Sequence, residues 1–354
     1  MSDPSLIARL GLTTPIIQAP MAGVSTPQMA AAVSNAGGLG SIGVGAAKPE
    51  VARAMIEQTH ALTDRPFNVN VFVHADPVPD AARDRPWIEA VGPQFAAFAA
   101  EPPERPQAIY RSFAGDDAML AVLVETSPAV VSFHFGLPDT ARIWALKDAG
   151  CILFASATNL DEARLAEAAG VDAIVAQGWE AGGHRGVFDP DAPDARLATL
   201  DLVGQLVAHI DAPIIAAGGI MDGPGVAAAL ARGAVAAQMG TAFIACPESA
   251  ADDAYRDALF SGAAGQTVMT RAISGRPARC LANRFTEWAV TIRTEPPPYP
   301  IAYDVGKALN TAAKAQGEGG FGAQWAGQGA PRARAMPAAE LMAVLAKEVL
   351  DARA

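Results

Sequence analysis

Short apolar runs alternate with amphipathic stretches through the first 245 residues of the chain. Eight runs lack a polar face and are rich in β-branched residues: Pro15–Ala19, Leu39–Gly43, Phe67–Phe72, Val130–Phe133, Cys151–Ala155, Asp172–Ala176, Pro213–Ala217 and Val235–Met239. Such runs suit strands buried on both sides, as in a parallel sheet covered by helices. Between them apolar residues recur at helical spacing over Thr26–Ala36, Lys48–His60, Thr140–Ala149, Leu160–Ala169, Thr199–His209 and Gly223–Ala231. Four of these segments run into Gly37, Gly150, Gly170 or Gly233, and glycine is the usual residue just past a helix C-terminus. Eight strands in βα alternation predict an α/β fold of the (β/α)8 TIM-barrel kind rather than an open sheet.

The rhythm stops near Cys246. Residues 246–275 read as helical, and 276–335 as loop-rich, with Pro296-Pro297-Pro298 and Gly317-Glu318-Gly319-Gly320. The stretch 74–128 is longer than one helix requires, and its charged, proline-rich part (76–106) predicts an insertion with its own helix. We expect a barrel built from 1–245 and 325–354, closed by a last helix over Pro337–Ala352. A smaller, mostly helical second domain, 246–324, is expected over the barrel mouth. No repeat of solenoid period is visible.

Composition narrows the function classes. A hydrophobic fraction of 51% supplies a large core for 354 residues. A net charge of −11 disfavours a general surface for nucleic acid or anionic membrane, though not a local cationic pocket. Cys151, Cys246 and Cys280 are far apart, odd in number and without metal-ligand spacing. Cys151 opens an apolar run and reads as a small buried residue. No basic-then-apolar leader and no apolar run of membrane length is present, so a cytoplasmic location is expected. The oligomeric state stays open between monomer and homodimer.

The candidate chemistry gathers at the C-terminal strand ends, where barrels of this kind build their sites. Pro20, Met21 and Ala22 follow the first run, and Asn70 lies late in the third. His134 follows the fourth. Gln177 and a glycine-rich loop with Gly182, Gly183 and His184 follow the sixth. Gly218 and Gly219 follow the seventh run, and Gln238, Met239, Gly240 and Thr241 close the eighth. Glycines after both of the last two strands let backbone N–H groups approach a phosphate. They equally serve tight turns. Asn70 and Gln177 are amides in apolar surroundings, and a buried amide needs partners. A phosphate grip, two amides and a methionine ledge at Met21 suit flavin mononucleotide (FMN) across the barrel mouth. His134 and His184 sit on the same face, and an imidazole there suits a general base. His60, His74 and His209 read as structural. No acidic triad or metal-ligand cluster accompanies the two histidines, so zinc chemistry and Ser-His-Asp hydrolysis are set aside.

Four motifs in this order resemble the nitronate monooxygenases, formerly called 2-nitropropane dioxygenases. They are Gln18–Pro27 (QAPMAGVSTP), Ser132–Pro138 (SFHFGLP), Ala176–Gly186 (AQGWEAGGHRG), and Ala216–Gly223 (AAGGIMDG) with Gln238–Thr241 (QMGT). The SFHFGLP form and the tyrosine-rich tail are similar to the bacterial class I branch. The resemblance spans nearly the whole chain. It implies noncovalent FMN and oxidation of alkyl nitronates, propionate 3-nitronate among them, by O2 to a carbonyl compound and nitrite, through a flavosemiquinone. It implies FMN contacts from Asn70, Gln177, Gly182, Gly219 and residues 238–241. His184 matches the family's catalytic base, and His134 a histidine of the substrate pocket, where it would hydrogen-bond the nitro group. Tyr110, Tyr299, Tyr303 and Lys307 match substrate-pocket residues. From the residues alone, Lys307 is either a solvated lysine or a counter-charge for a carboxylated substrate. Tyr299 and Tyr303 are either pocket wall or packing, and Trp325 either crosses the flavin edge or anchors a core.

Three rival readings remain at this point. Reductases of the same barrel family share the phosphate grip but take electrons from NAD(P)H. A flavin-binding protein without turnover would need neither histidine. An inosinate-type dehydrogenase would need a reactive cysteine at the mouth, and only Cys246 lies near it.

Overall fold

The computed structural model describes residues 5–78 and 80–354. Residues 1–4 of the expected barrel segment, and Pro79 of the expected insertion, lie outside that description.

Among the described residues eleven strands form in chain order: β1 (Ile16–Gln18), β2 (Gly40–Gly43), β3 (Phe67–Phe72), β4 (Val130–His134), β5 (Ile152–Ala157), β6 (Ala173–Gln177), β7 (Gly183–His184), β8 (Ile214–Ala217), β9 (Ala236–Met239), β10 (Thr267–Thr270) and β11 (Ala278–Leu281). Eight of them pair in parallel in the order β1-β9-β8-β6-β5-β4-β3-β2. A parallel bridge between Ile17 and Leu39 joins the two ends and closes the barrel. The eight apolar runs therefore become the eight barrel strands, each within two residues of the expected bounds.

The strands are apolar on both sides because each side meets a different core. Ile17, Leu39, Phe154, Val175 and Ile215 fill the barrel interior, with Leu6 and Leu10 plugging it from the helix Leu6–Arg9 and its C-terminal end. Alternate residues such as Ile16, Ile42, Val69 and Val131 face the surrounding helices. Each such side chain, fully buried, contributes roughly 1.5–3 kcal/mol. Four of the surrounding helices begin on side chains that accept N–H bonds: Thr26, Asp139, Asn159 and Asp222. Gly37, Gly150, Gly170 and Gly233 all adopt positive φ at the helix ends. The last helix, Ala338–Arg353, returns to the barrel wall through Leu341, Met342 and Leu345.

Outside the barrel the segment expected to be mostly helical also carries strands. Residues 246–275 hold a seven-residue helix, Asp253–Leu259, a single 3-10 turn and then a strand, β10. That strand pairs antiparallel with β11, and β11 pairs antiparallel with β7. The β7–β11 pairing joins residues far apart in sequence, and a four-residue run carries no period that separates strand from helix. The stretch expected to be loop-rich contains the helix Ile301–Lys314. The insertion forms the helix Ala81–Ala96, whose Trp87, Val91 and Phe95 pack with Ile273, Phe285, Val305 and Leu309. The insertion thus shares its core with the segment after the barrel. No helix among the described residues is long and apolar enough to cross a membrane.

Candidate active site

The C-terminal strand ends open into a cavity of about 570 Å³, within the size range of cofactor sites. Pro20, Met21, Ala22, Asn70, Gln177 and Gln238 line it from the barrel. So do Gly182, Gly183, Gly218, Gly219, Gly240 and Thr241 from the loops. His134, His184, Tyr110, Tyr303, Lys307 and Trp325 complete the wall. Two expected residues are not in it. Met239 is 1% exposed and packs its side chain into the outer core. Strand alternation explains this, because it turns Met239 away from the face that carries Gln238. Tyr299 lies behind the wall, its ring centroid 5.4 Å from that of His184.

The first turn is held from below. Gln18 is fully buried; its Oε1 accepts the Ser41 N–H at 2.8 Å and its Nε2 donates to Ser25 Oγ at 2.9 Å. Ser25 Oγ accepts the Met21 N–H at 2.9 Å, which fixes the Pro20-Met21-Ala22 ledge.

The phosphate-like corner is built from backbone. Gly218 and Gly219 have φ of +129° and +68°. A Cβ on Gly219 would lie 2.9 Å from Cβ of Glu180, so only glycine fits. Arg332 Nη2 donates to the Gly219 carbonyl at 2.9 Å and its Nη1 pairs with Asp222 at 2.8 Å. The N–H groups of Gly219, Gly240 and Thr241 donate to no protein acceptor among the described residues. Donors left free at a cavity wall fit an anionic oxygen ligand.

The two amides are oriented before any ligand arrives. Asn70 Nδ2 donates to Ser132 O at 3.1 Å and Oγ at 3.0 Å, which leaves its Oδ1 to accept. Gln177 Oε1 accepts the Gly186 N–H at 2.7 Å, and Nε2 donates to the His184 carbonyl at 3.0 Å. One Gln177 N–H remains for a ligand. These free groups, the free N–H donors and the glycine cradle fit a flavin with a phosphate tail.

His184 is carried on β7, whose pairing with β11 ties the barrel loop to the outer sheet. Its loop is stapled by Arg185, which is 2% exposed, pairs Nε with Asp194 at 2.7 Å and donates Nη1 to the Gln177 carbonyl. Behind the loop, the buried Arg276 donates Nη2 to the carbonyls of Val187 and Phe188, and its guanidinium lies 4.3 Å over the Phe135 ring. No carboxylate among the described residues reaches Arg276 within ion-pair distance. The cation therefore acts on the histidines instead. Burial lowers the His184 pKa to about 3, helped by the charges of His134, Arg276 and His74. Burial lowers His134 to about 4, opposed by its bond to the His184 carbonyl and helped by Arg276 and Arg185. Both imidazoles are neutral at pH 7.

The role expected for His134 changes here. Its Nε2 lies 3.2 Å from the His184 carbonyl, which only accepts, so Nε2 carries the proton. Its Nδ1 then accepts from Ser156 Oγ at 2.9 Å. Both ring nitrogens are used inside the protein, and no N–H is left to bond a nitro group. His134 instead joins Gln177 in clamping the His184 carbonyl. His184 differs: only its Nε2 is bonded, to Ser274 Oγ at 2.9 Å.

At the far wall Lys307 Nζ donates to Tyr110 Oη at 2.9 Å and sits 6.0 Å over the Tyr303 ring. Burial and then the Asp304 charge push the Tyr110 phenol up to about 12, so it stays a neutral hydrogen-bond donor. The Trp325 ring lies tilted against His184, with centroids 5.0 Å apart. Cys246 is fully buried and its thiol is pushed up to about 12 by burial and the Glu248 charge. It offers no thiolate, which removes the inosinate-type reading. No cluster of three metal-ligating side chains occurs among the described residues.

Ser156, Ser274 and Arg276 were not anticipated. Ser156 left a trace, as a hydroxyl near the end of an apolar run. Ser274 and Arg276 left none, because they lie outside the barrel repeat and reach His184 only through the β7–β11 pairing.

The pattern of the family described as nitronate monooxygenase matches residues 4–348. A nitronate monooxygenase of Paraburkholderia phytofirmans is 60% identical over 346 residues, covering 98% of this chain and 94% of its own. One of Pseudomonas aeruginosa is 54% identical, covering 96% of this chain and 97% of its own. The solved structure of a nitroalkane oxidase from Streptomyces ansochromogenes superposes with a TM-score of 0.90 at 42% identity, covering 98% of this chain and 99% of that one.

Proposed function

The chain belongs to the nitronate monooxygenase family and is an oxidoreductase, and on that premise we propose that it binds FMN and oxidises alkyl nitronates with O2 to a carbonyl compound and nitrite. The observation that carries this reading is the state of His184. It is neutral, it has one unbonded nitrogen, and it lines the same cavity as the Lys307–Tyr110 pair. A wall that joins a weak base to a cation suits a substrate that arrives already deprotonated.

The N–H groups of Gly219, Gly240 and Thr241 would hold the phosphate, with Gly218 shaping the turn. Asn70, Gln177, Gln238, Gly182, Gly183 and the Pro20-Met21-Ala22 ledge would hold the ring. Bound FMN supplies the electron acceptor and the place where O2 is consumed. The protein binds, orients and shields. Lys307 and Tyr110 receive the negative end of a carboxylated nitronate such as propionate 3-nitronate. Tyr303 and Trp325 supply apolar walls. When a neutral nitroalkane binds, His184 takes its α-proton. Residues 246–324 act as the lid over the barrel formed by 1–245 and 325–354, and the insertion helix Ala81–Ala96 of the latter packs into the lid's core. The protein works in the cytoplasm, where its three buried cysteines stay reduced.

Two variants follow from these contacts. Gly219→Val is expected to give folded, colourless protein, because the side chain collides with Glu180 and closes the phosphate corner. The flavin-to-protein ratio after release measures it, and normal loading would overturn the assignment. Lys307→Met is expected to raise KM for propionate 3-nitronate by about 3- to 10-fold, the range for one partly exposed charge. KM for uncharged-tail nitronates should move less, and equal shifts would remove the counter-charge role.

The deciding experiment is aerobic turnover of the yellow protein with propionate 3-nitronate, following O2 uptake and nitrite, beside an anaerobic NADH titration. Nitrite release with slow bleaching by NADH is expected. Fast bleaching without nitrite would place the chain with the NAD(P)H reductases of the same barrel, and no turnover of either kind would leave a flavin-binding protein.

A further inference from the structure

The hydroxyl of Ser274 reaches the catalytic face from outside the barrel. The residue is 1% exposed and lies between β10 and β11. Its position is set by the next residue, Gly275, which has φ of +88°; a Cβ there would lie 2.6 Å from the Tyr299 nitrogen. The turn can therefore neither widen nor accept another side chain. Ser274 is not in the cavity wall and touches no ligand space.

Three groups compete around that one hydroxyl. His184 Nε2 lies at 2.9 Å, the Arg276 carbonyl at 3.2 Å and the Arg276 N–H at 3.4 Å. A serine hydroxyl has a single hydrogen and two lone pairs. If the hydrogen points to the Arg276 carbonyl, Oγ accepts from His184 Nε2–H and every group is paired. If it points to His184 Nε2, the buried Arg276 carbonyl has no donor among the described residues. Buried carbonyls are rarely left in that state.

We propose that Ser274 is a positioning residue that holds the His184 proton on Nε2, leaving the Nδ1 lone pair as the base presented at the cavity. The carbonyl of the same histidine is clamped by His134 Nε2 at 3.2 Å and Gln177 Nε2 at 3.0 Å, so ring and backbone are fixed from opposite sides. A histidine whose second nitrogen is tied to an oriented acceptor keeps one tautomer and one ring orientation. The inference rests on the reading of His184 as the base for neutral nitroalkanes, and it names the group that makes that base usable.

The test is a long-range ¹H–¹⁵N spectrum of the flavin-loaded protein with labelled histidine, at pH 7. Five histidines keep the spectrum sparse, and the His184→Asn variant identifies the signal. The native protein is expected to show His184 as the Nε2–H form. Ser274→Ala should give a mixture of tautomers, and Ser274→Thr should restore the single form. In parallel, kcat/KM of Ser274→Ala should fall about tenfold further for nitroethane than for ethyl nitronate. An Nδ1–H form in the native protein, or an unchanged tautomer in Ser274→Ala, overturns the proposal. The native spectrum alone decides if the alanine variant does not fold. If neither substrate is turned over, the reading of the function fails, while the tautomer result still judges Ser274.

Discussion

The His184→Asn variant is expected to lose about 10²- to 10⁴-fold in kcat/KM for a neutral nitroalkane, the usual worth of a positioned general base. For the preformed nitronate of the same compound the expected loss is about tenfold or less. The difference follows from the chemistry at the wall. A nitroalkane must first give up an α-proton, and His184 is the imidazole with an unbonded nitrogen, since both nitrogens of His134 are used. A nitronate has already lost that proton. Burial, with the charges of His134, Arg276 and His74, holds His184 at about 3, so it is a weak base and remains unprotonated from pH 5 to 8. In that window the nitronate reaction should show no acid limb from this residue. Paired steady-state assays on both forms of one substrate measure the split. Equal losses on both would strip His184 of the role of base and leave it a packing residue.

A second large effect is expected in stability toward acid. His134 and His184 enter the fold neutral, held at about 4 and about 3 mainly by burial. In the unfolded chain both take up protons as pH falls through about 6.5. Between that value and their folded values the unfolded state binds more protons, so lowering pH favours unfolding. At pH 5 the loss is about 2 kcal/mol for each histidine and about 4 kcal/mol for the pair. Well above pH 6.5 both are neutral in both states and the effect vanishes. Urea midpoints at pH 7 and pH 5 measure it, with His134→Gln as the comparison, because other titrating groups contribute equally to both proteins. The variant should lose less stability than the native chain over this interval. An identical loss would show that His134 is protonated without cost in the fold.

Much of the architecture was legible in the residues. A barrel strand buried on both sides is mostly apolar, and Val130–Phe133 and Ala173–Ala176 show this in stretches of four residues, with Ser132 the one polar residue between them. Helix C-termini announce themselves through Gly37, Gly150, Gly170 and Gly233, whereas the caps Thr26, Asp139, Asn159 and Asp222 stand out only in the structure. Polar residues interrupting such runs then mark the functional face, as Asn70, Gln177, Gln238 and His134 do. The outer segment was less legible, because its order comes from the pairing of short β11 with the distant β7 and from a core shared with the helix Ala81–Ala96.

Local chemistry by itself determined the eight strands, their helices and the identity of the face that carries the site, because periodicity and capping act between near neighbours in the chain. Tertiary structure alone decided what each site residue can do. Met239 and Gln238 are adjacent in sequence, yet strand alternation sends one into the core and the other to the cavity. His134 and His184 look alike as histidines at strand ends, yet Ser156 and the His184 carbonyl use up the first, and Ser274 leaves the second with a free nitrogen. Those contacts join residues up to 90 positions apart. Hydrogen-bond direction, burial and the nearby charge of Arg276 belong to the folded arrangement, and no local pattern encodes them.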